Sequence, residues 1–296
     1  MQKNTAILVF VFLLLAHFSF SQKVDSTTQK KDSTKNLPYV SGAMSITNNG
    51  ISIVPSFSLG KPAVQFNMYM GKNRFSFEPD IRFSLAGKPW TMLFWGRYKA
   101  VTSNKFNMNV GAHLGLNFRT ALLRINGDSS TVNIARRYLA AEIFPRVSLT
   151  KNISVGIYYL YSHGLDAGTI GNTHFITLNT NFSHIKISNQ FFIMFNPQFY
   201  YLKLDAEDGF FVTSTLTVAK KNFPLSVSST VNKIINTNIT GSKNILWNVS
   251  LNYAFNKKYL KNNRCYEISK FVGDEKNRNY RGVLSKKIRK GACGYP

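Results

Sequence analysis

Between residues 51 and 255 the chain alternates apolar and polar side chains with period two, over stretches of about 10 to 14 residues. In the segment 74–85, Phe75, Phe77, Ile81, Phe83 and Leu85 hold the odd positions, interrupted only by Pro79. Arg74, Ser76, Glu78, Asp80, Arg82 and Ser84 hold the even ones. The segment 106–119 sets Phe106, Met108, Val110, Ala112, Leu114, Leu116 and Phe118 against Asn107, Asn109, Gly111, His113, Gly115, Asn117 and Arg119. The segment 245–255 does the same, with Ile245, Trp247, Val249, Leu251, Tyr253 and Phe255 against Asn248, Ser250, Asn252 and Ala254. Successive side chains of a strand point to opposite faces, so each segment has one apolar face and one polar face. Strands of globular proteins usually run about 5 to 6 residues.

In a soluble sandwich, apolar faces meet in a core and polar faces meet water. The length and regularity of these segments argue for the inverse arrangement. So do the aromatics near their ends: Trp90, Tyr98, Phe106, Phe118, Tyr159, Tyr161, Trp247 and Phe255. Apolar residues facing lipid, polar residues facing a lumen and aromatics at the two interfaces describe a transmembrane β-barrel, and closure removes unpaired edges. Composition agrees: 44% hydrophobic and 14% aromatic residues exclude disorder, while the charged fraction of 17% is below the usual ~25%. The longest apolar run, residues 6–16, falls short of the roughly 20 that a membrane-spanning helix needs. The expected class is therefore all-β, a closed antiparallel transmembrane barrel of about twelve strands, with ten or fourteen as alternatives. The segments are 51–59, 62–71, 74–85, 90–100, 105–119, 135–149, 152–162, 173–183, 189–203, 209–219, 223–233 and 245–255. Short turns at 71–73, 102–104 and 150–152 are expected in the periplasm, and longer loops at 120–134, 163–172 and 234–244 outside.

The flanks differ in kind. Lys3, the apolar stretch 6–16 and Ser19-Phe20-Ser21 before Gln22 read as a cleaved signal peptide, 1–21. Residues 22–38 read as a flexible periplasmic tether. Residues 39–50 read as a lead-in or lumen-plugging segment, since an added full strand there would reverse every loop. The tail 256–296 carries 12 Lys/Arg against three acidic residues and shows no alternation. It reads as a periplasmic arm, an unstructured extension or non-native coding sequence. Both cysteines, Cys265 and Cys293, lie there without metal-ligand spacing, so neither a metal nor a disulfide framework is expected in the barrel.

The closing segment 247–255, WNVSLNYAF, finishes its alternation on Phe255. On that motif the chain resembles the outer-membrane β-barrel proteins of Gram-negative bacteria, porin-like, over residues about 39 to 255. The resemblance implies that Trp247, Tyr253 and Phe255 are read by the barrel-assembly machinery. In the family that Phe is commonly the last residue, whereas here 41 more follow.

The ionisable residues in the polar register are Glu78, Asp80, Arg82, Arg97, Lys99, His113, Arg119, Glu142 and Arg146. A four-residue turn at 86–89 would place Glu78 opposite Arg97, predicting an ion pair inside the barrel. Cations outnumber acids in this set, so an open pore is expected to favour anions weakly. The expected function is a small passive pore or a structural or docking scaffold, without catalysis or cofactor. The competing reading is a lipid hydrolase or acyltransferase built around His113 with Asn109 and Asn117 on the same face. The net charge of +24 first suggests nucleic acid. The basic residues are spread through the turns, however, and the aromatics fall in the apolar register, which argues against it. Lys61, Lys88, Arg124, Arg136 and Arg137, with Arg119, fall at or beyond outer strand ends. There they would meet lipopolysaccharide phosphates.

Overall fold

The structure, a computed structural model, describes residues 38–52, 54–125 and 128–258. The expected signal peptide, the tether up to residue 37 and the tail from residue 259 lie outside these residues. Twelve antiparallel strands make a closed barrel: β1 (Tyr39–Thr47), β2 (Ala63–Lys72), β3 (Phe75–Ser84), β4 (Pro89–Thr102), β5 (Phe106–Ile125) and β6 (Asp128–Ser148). The circuit continues through β7 (Ile153–Gly164), β8 (Asn172–Lys186), β9 (Phe191–Leu204), β10 (Glu207–Lys220), β11 (Leu225–Thr237) and β12 (Ile245–Lys258). Each strand pairs with its neighbours in sequence, and β12 closes on β1 from Tyr39↔Lys258 to Thr47↔Ser250.

The barrel is apolar outside and polar inside. Leu139, Ile157, Leu178, Phe199, Val249 and Leu251 are exposed on the outer wall, while Thr47, Ser76, Asp80, Asn117, Thr177 and Asn232 are buried on the inner one. This is the inside-out distribution of a barrel whose outer surface meets hydrocarbon. The three segments with the cleanest alternation became β3, β5 and β12 in the expected phase.

Membership of the twelve differs from expectation at one place. Residues 39–47 are neither lead-in nor plug: they form β1, hydrogen-bonded on both sides. Val40, Gly42, Met44 and Ile46 face out; Ser41, Ala43, Ser45 and Thr47 face in, with Ser45 Oγ donating to Asn252 Oδ1 at 2.7 Å. Residues 51–59 are not a strand. Pro55 has no N–H to give a ladder, and it opens a single 3₁₀ turn, Pro55–Phe57. One strand enters and one leaves, so the loop parity is unchanged. The Phe255 ring covers Gly42 across the β1–β12 seam, where a methyl group on Gly42 would lie 2.7 Å from it.

Short turns connect the strands at the end where β1 begins and β12 finishes: 73–74, 103–105, 149–152, 187–190 and 221–224. The opposite end carries loops 48–62, 165–171 and 238–244. The expected loop 120–134 is instead ladder: β5 and β6 pair from Phe106↔Val147 to Ile125↔Asp128. With 20 and 21 residues they exceed the ~10 that a bilayer-crossing strand needs, so this hairpin projects past the rim.

Candidate functional site: the barrel lumen

The sector β3–β6 places its charges in the lumen as the alternation requires, and brings them together across strands. Arg97 on β4, Gly111 on β5 and Glu142 on β6 sit in one row, Arg97↔Gly111 and Gly111↔Glu142. Gly111 has no side chain, and the long side chains on either side meet over it. Arg97 Nε donates to Glu142 Oε1 at 2.6 Å and Arg97 Nη2 to Oε2 at 3.2 Å. A methyl group on Gly111 would stand 3.0 Å from both Arg97 Cγ and Glu142 Oε1. Arg97 Nη1 also donates to Glu78 Oε2. Tyr158 Oη donates to Glu142 Oε2 at 2.7 Å and Ser76 Oγ to Glu78 Oε1 at 2.6 Å, so both carboxylates are satisfied.

The expected Glu78–Arg97 pair therefore forms, but on a diagonal. Glu78 is opposite Trp95, and Ser76 is opposite Arg97. The connection turns earlier than anticipated, with Phe83 facing Pro89 and Trp90 left as the extra residue of a bulge. That bulge re-aims Trp90. It is buried rather than lipid-facing, 5.4 Å from the Arg82 guanidinium, and its Nε1 donates to the Phe57 carbonyl at 2.7 Å.

The other predicted lumenal residues fall as follows. Arg82 donates to Asp80 through Nε at 2.9 Å and Nη2 at 2.5 Å. Lys99 lies over Tyr39 and Arg146 over Phe144, both towards the short-turn end. His113 faces Trp95 across the ladder with ring centroids 4.1 Å apart, and the Arg97 guanidinium lies 4.2 Å from the same Trp95 ring. Arg119 lines a second cavity, of about 380 Å³, at the long-loop end with Arg136, Asp205 and Glu207.

Of the residues expected at lipid headgroups, Lys61 and Lys88 are exposed at the long-loop end. Arg137 is on the outer wall and pairs with Asp166 at 2.6 Å. That guanidinium, with the Arg137 backbone N–H, holds the Asp166 carboxyl below the usual carboxylate range. Arg136 is a correction. It follows Ala135 and precedes Arg137, so by alternation it faces inward, opposite Asn117, and it donates to the Gly168 carbonyl. The Arg124 side chain lies outside the described residues. Trp247, Tyr253 and Phe255 all face outward on β12.

Aromatics do not all belong to the lipid face. Trp95, Tyr138, Phe175, Tyr200 and Phe211 are buried. Phe175, Tyr200, Leu202, Leu204 and Phe211 make an apolar cluster on the inner wall of β8–β10. Loops of the long-loop end pack onto it through Val54, Ile170 and Ile239. Loop 48–62 is pinched at its neck, with Gly50 N donating to Lys61 O at 2.8 Å and Leu59 N to Gly50 O at 2.9 Å. Its Phe57 ring packs edge-on against Tyr138, centroids 5.2 Å apart. The plug is thus an internal loop, one strand later in the chain than the segment expected. Beneath it lies a cavity of about 420 Å³, lined by Trp95, His113, Tyr158 and by hydroxyls and carboxamides of β10–β12.

No protein-family model matches the chain, and no curated protein matches its sequence. The solved structures it is similar to include outer-membrane porins and channels. The KdgM porin in complex with disordered oligogalacturonate is 10% identical, covering 73% of this chain and 99% of that one, with a TM-score of 0.46. The NanC porin is 10% identical over 75% of this chain and all of that one, with a TM-score of 0.43. An outer-membrane channel from Pseudomonas putida F1 is 9% identical over 80% of this chain and all of that one, with a TM-score of 0.41.

Proposed function

We propose that the barrel is a narrow passive pore of a Gram-negative outer membrane, with short turns in the periplasm and loop 48–62 throttling its outer mouth. The observation that carries this reading is the lumen itself. It is walled largely by polar side chains, it keeps a cavity under the loop, and each of the three carboxylates on β3–β6 is tied to a guanidinium. Along the inner wall of β3–β6, Arg82, Arg97, Lys99 and Arg146 stand with Glu78, Asp80 and Glu142. At the outer mouth Arg119 and Arg136 are matched by Asp205 and Glu207. The surplus is one cation, so ion current favours anions weakly. His113 packs on Trp95 inside the barrel, away from the lipid face, which favours the pore over lipid hydrolysis. Arg137, Lys61 and Lys88 are the outer residues suited to lipopolysaccharide phosphates, and the outward aromatics of β12 to the assembly machinery.

Reversal potentials of the refolded barrel in a planar bilayer under a salt gradient test this. The chloride-to-potassium permeability ratio is expected above one. Lys99→Glu, at an exposed site near the inner mouth, turns the surplus cation into a surplus anion and is expected to bring the ratio below one. A barrel without conductance, or a ratio indifferent to Lys99→Glu, contradicts the reading.

A further inference from the structure

We propose that the notch over Gly115 on the inner face of β5 is a binding subsite for a neutral, polyhydroxylated solute of sugar size, a reading that rests on the lumen being a path for solutes. His113, Gly115 and Asn117 follow one another on that face, and all three line the 420 Å³ cavity. Its volume is within the range of about 300–1,000 Å³ typical of small-molecule sites. Gly115 leaves the notch. A methyl group there would come within 3.0 Å of His113 Cε1, 3.1 Å of Leu93 Cδ2 and 3.3 Å of His113 Nδ1. The Nδ1 edge of His113 thus borders the space that Gly115 leaves.

Two polar atoms flank that space without partners. Asn117 is 5% exposed, and its Nδ2 makes no hydrogen bond among the described residues. His113 is 9% exposed, and its Nδ1 makes no hydrogen bond among the described residues. A buried donor left without an acceptor is costly, and a solute oxygen seated over Gly115 would relieve it. The carboxamide N–H₂ of Asn117 demands an acceptor, whereas an imidazole nitrogen can serve either sense. A hydroxyl, which both donates and accepts, meets the two together.

Charge decides between a neutral and an ionic solute. Among the described residues the one cation lining the cavity, Arg82, is already held by Asp80 through two hydrogen bonds. Across the lumen, β10–β12 present Thr213, Thr230, Asn232, Asn248 and Asn252, which are neutral hydrogen-bonding groups. An ion entering here would lose hydration without gaining a countercharge, but a polyol exchanges water for groups of matching kind. Leu93, Phe57 and Tyr138 supply apolar surface for the C–H faces of such a molecule.

The test is calorimetric titration of the detergent-folded full chain with sucrose, and with galacturonate as the charged comparison. Folding is checked for each variant by heat-modifiable mobility. Sucrose binding is expected, tighter than that of galacturonate. Asn117→Leu, which keeps the shape and removes the donor, is expected to weaken it about five- to tenfold. Gly115→Ala, which fills the notch, is expected to do the same or more. Absence of sucrose binding, preference for galacturonate, or binding indifferent to both variants overturns the subsite. Bilayer conductance of the same preparation separates the two readings: binding without conductance overturns the pore and leaves the subsite, and conductance without binding does the reverse.

Discussion

Arg97→Met is expected to destabilise the barrel by about 3–5 kcal/mol, the cost of stripping one partner from a buried ion pair. The Glu142 side chain is only 3% exposed and that of Glu78 14%. With Arg97 gone, Glu142 keeps only the Tyr158 hydroxyl and Glu78 only Ser76. Two carboxylates then share the lumen without a cation between them. Urea unfolding of the barrel in detergent, followed by tryptophan fluorescence, reads the loss. Adding Glu142→Gln, which removes the uncompensated charge and keeps the hydrogen-bonding shape, is expected to recover a large part of it. Recovery separates a charge penalty from simple loss of packing around Trp95, which the second substitution would leave uncorrected.

Excising residues 51–59 is expected to raise single-channel conductance several-fold. The neck of loop 48–62 is already closed, with Gly50 bonded to Leu59, Gly60 and Lys61, so Gly50 can be joined to Gly60 with little displacement of β1 and β2. The excision removes Phe57 from Tyr138 and Trp90, and Val54 from the cluster on β8–β10. The Trp90 indole loses its acceptor, so a small loss of stability accompanies the opening. Unchanged conductance would place the narrowest point elsewhere, most directly at the Arg97 row.

What the sequence made legible follows from the period of a strand. Alternation assigns a face, and a face assigns every ionisable residue to lumen or lipid. Glu78, Asp80, Arg82, Arg97 and Glu142 were placed inside on that ground alone, and the ion pair of Arg97 followed. Register is harder, because the turn closes three residues tighter than anticipated, on Phe83 and Pro89, and the one extra residue at Trp90 restores a single position, so Glu78 faces Trp95 instead of Arg97 and an aromatic turns inward. Contacts that skip a strand are harder still. Arg97 meets Glu142 only because Gly111 lies between them, and a glycine in the polar register of β5 was the one signal of it. The first of the twelve strands was misassigned for a related reason. Residues 39–47 and 51–59 alternate equally well, and the proline at position 55 was the discriminating residue. The aromatic lining of β8–β10 was illegible, since Phe175, Tyr200 and Phe211 look like lipid-facing residues until the loops that cover them are seen.

The central claim is that the outer wall stands in hydrocarbon and the lumen in water. Four consecutive positions of β12 test it, since Val249 and Leu251 face out and Ser250 and Asn252 face in. Single cysteines at these sites, with Cys265 and Cys293 replaced by serine, carry a fluorophore in reconstituted vesicles. The account predicts strict alternation: lipid-attached quenchers reach positions 249 and 251, and water-soluble quenchers reach 250 and 252. Quenching of all four from water, or the opposite alternation, would contradict it.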